Sequence, residues 1–140
     1  MKRILTIVAM LVMVLSGLSL AQGVNAQGGK ESAAKSPTCT TDCKACADVC
    51  EKTIAYCTKQ GGKHAEASHI NAIKDCASAC RLSQQVMEHG SGLMSKACGL
   101  CREACLKCAE SCDAFKDDKT MKACADECRK CAKSCEKMAS

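Results

Sequence analysis

The chain has 140 residues, enough for one compact domain, and a formal net charge of +5. Its charged residues, 25% of the total, alternate in sign as on a solvated helical surface, a pattern that excludes a nucleic-acid footprint. One Tyr, one Phe and no Trp leave no platform on which single-stranded bases could stack.

The chain opens like a secretory signal. Lys2 and Arg3 precede an apolar run from Ile4 to Leu20, and Val24-Asn25-Ala26 offers a small-residue cleavage pattern. Residues 1–26 are therefore expected to be a signal peptide cut after Ala26, which lowers the net charge to +3 and places the mature protein in the periplasm or outside the cell. The competing reading is a membrane anchor, since Ile4 to Ala21 approaches spanning length. Ser16, Gly17 and Ser19, followed by a polar stretch, favour removal and no membrane association afterwards. Neither a twin-arginine pair nor a lipoprotein cysteine is present, so general secretion is the simpler route.

Residues 27–36, rich in Gly, Ser, Ala and Lys, read as a flexible leader. From Pro37 onward there is no further proline, and turn signals occur only at Gln60-Gly61-Gly62, Gly90-Ser91-Gly92 and Lys116 to Lys119. The intervening segments predict helices over 37–60, 63–89, 92–116 and 119–138. Ser36 is placed to cap the first, with Pro37 at its opening position, and Asp118 or Thr120 the last. Short connections join antiparallel neighbours, so residues 37–140 are expected to be an all-α, up-down-up-down four-helix bundle.

Sixteen cysteines lie between Cys39 and Cys135, against only ten Val, Ile, Leu and Phe residues after the leader. Cysteine must therefore fill much of the interior. The first helix carries Cys39, Cys43, Cys46, Cys50 and Cys57, and the second Cys76 and Cys80. The third carries Cys98, Cys101, Cys105, Cys108 and Cys112, and the fourth Cys124, Cys128, Cys131 and Cys135. Steps of three and four keep each set on one stripe. In the second helix the stripe continues through His69, Ile73, Ser83 and Met87. Antiparallel folding sets Cys46 opposite Cys80, Cys50 opposite Cys76 and Cys57 opposite His69. In the other half, Cys112 faces Cys124, Cys108 faces Cys128, Cys105 faces Cys131 and Cys101 faces Cys135. Met87, Met94 and Met138 gather with Cys39 and Cys98 at the end holding the second loop, near His89. His64, Phe115 and Met121 mark the opposite end.

CxxxC occurs seven times. Residues four apart on a helix have Cβ atoms about 5–6 Å apart, so two sulfurs can converge on one ion, and copper(I) favours thiolate and thioether ligands. The methionine cluster suits either core filling or a port for copper(I), and His69 either a ligand or a buried imidazole. His64 is expected to be a solvated helix start. Structural zinc prefers tetrahedral CxxC knuckles on turns, and iron–sulfur clusters need tight runs that are absent. A disulfide scaffold, and with it a secreted helical interaction module, remains open, because an even cysteine count in an exported chain ordinarily means bridges. Bonding within one helix is geometrically difficult. No nucleophile–base constellation indicates an enzyme.

The serial CxxxC pairs and the leader resemble the bacterial copper storage proteins, over about Thr38 to Met138. The resemblance implies a bundle whose core cysteines bind several copper(I) ions per chain. It also implies a homo-oligomer, often a tetramer, that holds the metal for a copper-requiring apo-enzyme or chaperone or protects the cell from it. The seven pairs match the family's ligand motif, and Cys57 and Cys98 its additional stripe positions. Ile73 and Ser83, and a leader without twin arginines, depart from it.

Overall fold

A computed structural model of the chain describes residues 37–140; the expected signal peptide, the leader and the Ser36 cap lie outside the described residues. Four helices follow in order: α1 Pro37–Gln60, α2 Ala67–Glu88, α3 Met94–Asp113 and α4 Lys119–Glu136. Each packs against its chain neighbours, and α1 closes the ring against α4, the up-down-up-down arrangement that the short connections predict. No helix among the described residues is long and apolar enough to cross a membrane.

Helix α1 begins and ends where the sequence places it. The second helix does not start at residue 63. Gly61 and Gly62 both adopt positive φ, 70° and 55°, a conformation that glycine reaches without steric cost. The chain then forms a 3-10 turn, Gly62–Ala65, before α2 opens at Ala67. At the second loop Gly90 takes φ 66° and α3 begins only at Met94. Of the two candidate caps for α4, the structure uses Asp118, whose carboxylate accepts from the backbone N–H groups of Thr120 (2.8 Å) and Met121 (3.1 Å).

The interior is built from cysteine and alanine. All sixteen cysteines are buried and none is in a disulfide, Ala47, Ala109, Ala125 and Ala132 fill between them, and Ile73, Met87 and Met121 are the bulky side chains that are fully enclosed. Small side chains let the helices approach closely. Leu82, Leu93, Leu100 and Leu106 remain exposed, so the aliphatic contribution to the core is smaller than the composition suggests. Buried Thr53 donates to the Val49 carbonyl (2.8 Å) and Ser83 to the Ala97 carbonyl across to α3 (2.9 Å), so neither hydroxyl is unsatisfied.

Polar ties hold the helices in register from outside. Arg81 of α2 reaches Asp48 (2.5 Å) and Glu51 (3.0 Å) of α1. Asp42, buried on α1, accepts from Ser134 (2.5 Å) and Lys130 (2.9 Å) of α4. Arg129 pairs with Asp113 between α4 and α3.

Asp118 also accepts from the Tyr56 hydroxyl (2.8 Å) and contacts His64 Nε2 at 2.9 Å, tying α1 and the 3-10 turn to the start of α4. Asp118→Ala is expected to destabilise the reduced, metal-free protein by about 0.5–2 kcal/mol, the range of a lost cap. A smaller loss for Asp118→Asn, which keeps an acceptor, would separate capping from charge in urea unfolding.

Candidate metal centre

The four stripes converge on one axis. The shortest sulfur–sulfur approaches are Cys80–Cys101 at 3.4 Å and Cys43–Cys135 at 3.5 Å, followed by Cys76–Cys105 at 3.6 Å and Cys80–Cys105 at 3.7 Å. Most of these contacts cross between helices. The facing expected from antiparallel folding is recovered: Cys46 and Cys80 share one group, Cys50 and Cys76 another, and Cys57 Sγ lies 3.6 Å from His69 Nε2.

Fourteen of the sixteen cysteines form five groups whose sulfurs all lie within 4.8 Å of one another. From the second-loop end these are Cys39, Cys98 and Cys135; then Cys43, Cys101, Cys131 and Cys135; then Cys46, Cys80, Cys105 and Cys131. Two further groups follow, Cys46, Cys50, Cys76 and Cys128, and lastly Cys50, Cys108, Cys124 and Cys128. Successive groups share members: Cys135, Cys131, Cys46, and the pair Cys50 and Cys128. A ladder of shared sulfurs therefore runs along the axis. Cys112 is buried beside the last group, where hydrogen bonds with Cys108 and Cys124 push its thiol up.

The ends differ. Beyond the first group, Met87 Sδ lies 3.9 Å from Cys98 Sγ and 3.8 Å from Thr40 Oγ1. Met138 belongs to the same buried core and Met94, half-buried, packs on it. His89 is exposed. At the other end Cys57 Sγ is 3.9 Å from Met121 Sδ. Met121 was not among the candidate ligands, although it stands three residues before Cys124 on the α4 stripe, a spacing that could have found it. His64 is not a solvated helix start: besides its bond to Asp118 its ring lies 4.3 Å from that of Phe115, which in turn lies 4.7 Å from that of His69.

Protonation in this interior is set by neighbours. Hydrogen bonds from Cys105 and Cys128 push the Cys46 thiol down, whereas bonds with Cys105 and Cys108 push Cys76 up. One sulfur of a contact holds the proton that the other shares. Burial, with the charges of Cys124 and Asp118 adding to it, raises Cys57 from 9.0 to about 11. Burial lowers His69, which favours its neutral imidazole.

Comparison with known proteins places this geometry. A family profile described as copper storage protein matches residues 32–140. The chain belongs to the copper storage protein family. Among solved structures, a protein of Nitrosospira multiformis is 38% identical, with a TM-score of 0.68 over 73% of this chain and 92% of that one. Copper(I)-bound copper storage protein BsCsp3 is 29% identical, with a TM-score of 0.70 over 76% of this chain and 99% of that one. Metal-free copper storage protein 3 of Bacillus subtilis is 27% identical, with a TM-score of 0.60 over 73% and 96%. No curated protein matches significantly. Copper storage family membership identifies a metal store and not an enzyme.

The raised Cys57 thiol fixes the sign of one pH effect in the metal-free protein. Above pH 9 the unfolded chain loses this proton while the folded chain keeps it to about 11, so its contribution is complete below pH 9 and declines as pH rises through 11. Thermal melting of the reduced protein should accordingly show a smaller loss between pH 8 and 11 in Cys57→Ala than in the parent chain.

Proposed function

We infer that the chain stores several copper(I) ions on its interior thiolates. The observation that carries this reading is the ladder of five sulfur groups with shared members. A thiolate shared by two groups can bridge two ions, so ions can follow one another along the axis with each positive charge offset by sulfur. Copper(I), soft and content with few ligands, suits sulfurs at these separations. Binding releases the thiol protons, so affinity rises with pH in the range where the thiols are protonated.

All sixteen cysteines are the proposed ligands, supplemented by His69 and by Met87, Met94 and Met138 at the two ends. The sulfur contacts also admit zinc by donor type, but the copper(I)-bound relative favours copper. Against the disulfide module stands the presence of all sixteen cysteines as thiols, none of them in a disulfide.

Further parts of the reading rest on the sequence. Lys2, Arg3, the apolar run and Val24-Asn25-Ala26 support export to the periplasm or beyond. Leu82, Leu93, Leu100 and Leu106, exposed on and before α3 and on α2, support assembly with further copies of the chain, since burying apolar side chains stabilises association. A copper-requiring apo-enzyme or chaperone would receive the metal.

Anaerobic titration of the reduced protein with copper(I) against a chromophoric chelator is expected to saturate at several ions per chain, with free thiols falling in parallel. Saturation at one ion or none would remove the storage reading. Capacity should fall further in Cys46→Ser or Cys128→Ser, each of which breaks two groups, than in Cys112→Ser, which breaks none. For export, mass spectrometry of the protein expressed from its full sequence should find a mature N-terminus at Gln27.

A further inference from the structure

The sulfur ladder stops short of one end of the bundle. Cys57, His69 and Met121 lie beyond its last group, and among the described residues Cys57 joins none of the polythiol groups. Its close contacts are an imidazole nitrogen and a thioether sulfur. On α1 the stripe position between Cys50 and Cys57 is Thr53, and on α2 the one between Cys76 and His69 is Ile73. Both are buried, and the register that sets Cys57 against His69 sets these two side chains at one level. They interrupt the sulfur wall of α1 and α2 with a hydroxyl committed to Val49 and an aliphatic side chain.

We propose that Cys57 Sγ, His69 Nε2 and Met121 Sδ form a separate site for a single copper(I) ion, chemically unlike the store and used for exchange. This proposal rests on the storage reading for its metal. The two separations from Cys57 Sγ fit a trigonal ion. Bond lengths of about 2.3 Å to sulfur and about 2.0 Å to imidazole nitrogen place two sulfurs about 4.0 Å apart, and a sulfur and a nitrogen about 3.7 Å apart. The corresponding separations here are 3.9 Å for Cys57–Met121 and 3.6 Å for Cys57–His69. His69 is already turned to ligate. Its Nδ1 lies 2.7 Å from Ser111 Oγ; in the tautomer with hydrogen on Nδ1 the ring donates to the serine oxygen and turns the Nε2 lone pair to Cys57, the outer-shell arrangement of a ligating imidazole. All three donors are buried.

The charge balances with one ion. Cys57 loses its proton to solvent, and its thiolate neutralises one copper(I), while the imidazole and thioether add none. Neither neutral donor bridges readily to a second ion, so the site stays mononuclear. With one thiolate where the store offers three or four, it fills last and empties first.

The test uses the reduced full chain, titrated anaerobically with copper(I) against a chelator, in parallel with Met121→Leu and His69→Gln. The ring nitrogens of His69 are followed by 15N NMR in the unaltered protein. The expected result is the loss of one ion per chain, the weakest, in both variants, with Nε2 of His69 shifting only as the last equivalent binds. An unshifted Nε2 in the fully loaded protein would overturn the proposal, as would unchanged capacity and final-step affinity in both variants. Loss of several ions in Met121→Leu would also overturn it, by showing the site to be part of the ladder. Uptake of a single ion with Nε2 shifted would remove the store and leave this site standing.

Discussion

The structure depends on sulfur atoms from four helices meeting at 3.4–3.9 Å. At that separation they are in contact, so the atoms that exclude water from the interior are also those that offer ligands. In most domains the core and the site are different sets of residues. Here they coincide, because cysteine behaves as a small hydrophobe when protonated and as a soft ligand when not. The absence of bulky aliphatic packing follows from this double use: a leucine at a stripe position would hold the helices apart and remove a ligand. Ile73 shows the consequence, for at its level the sulfur wall of α2 is interrupted.

A core of repeated cysteine and alanine has little power to specify register, since sliding a helix by one turn replaces one sulfur with another. Jigsaw packing of varied side chains ordinarily fixes such alignments. In this bundle the alignment is carried by polar groups placed around the sulfur ladder: Arg81 with Asp48 and Glu51, Asp42 with Ser134 and Lys130, Ser83 with the Ala97 carbonyl. Exposed pairs of this kind add little stability, about 0–1 kcal/mol each. The tie at Asp42 differs, because its carboxylate is buried and would lose its compensating partners if α4 slipped.

Legibility in the sequence followed periodicity. The steps of three and four among the cysteines of α1, α3 and α4 predicted both the helices and the face that each turns inward, and antiparallel arithmetic alone set Cys57 against His69. Features that depend on loop conformation were not legible in this way. Gly61-Gly62 read as a turn, but the chain goes on into a 3-10 segment, Gly62–Ala65, and that segment carries His64 back to Asp118. A histidine judged by its place at a helix start is thus half-buried against Phe115 and Asp118. Leu82, Leu100 and Leu106 lie outside the core because their positions fall off the cysteine stripe, a point that the same periodicity already contained. Met121 was placed at the correct end without being recognised as a donor, since a lone methionine at helical spacing is most often filler and only its contact with Cys57 distinguishes it.

The two ends give the ladder a polarity. At the second-loop end the last group still has three thiols, with Met87 in contact behind Cys98; at the other, one thiol stands with an imidazole and a thioether. Within the ladder, a copper(I) ion can pass from one group to the next while keeping the sulfur that the groups share, so movement along the axis need not strip it of ligands. Across the level of Thr53 and Ile73 that continuity fails on α1 and α2, leaving the wall of α3 and α4, where Cys112 and Cys124 stand, to bridge the gap. The step most exposed to the loss of thiolate ligands is therefore the one between the ladder and the Cys57 end. A store whose ions are equivalent would have no preferred place to give them up; a single interruption in the sulfur wall is enough to create one.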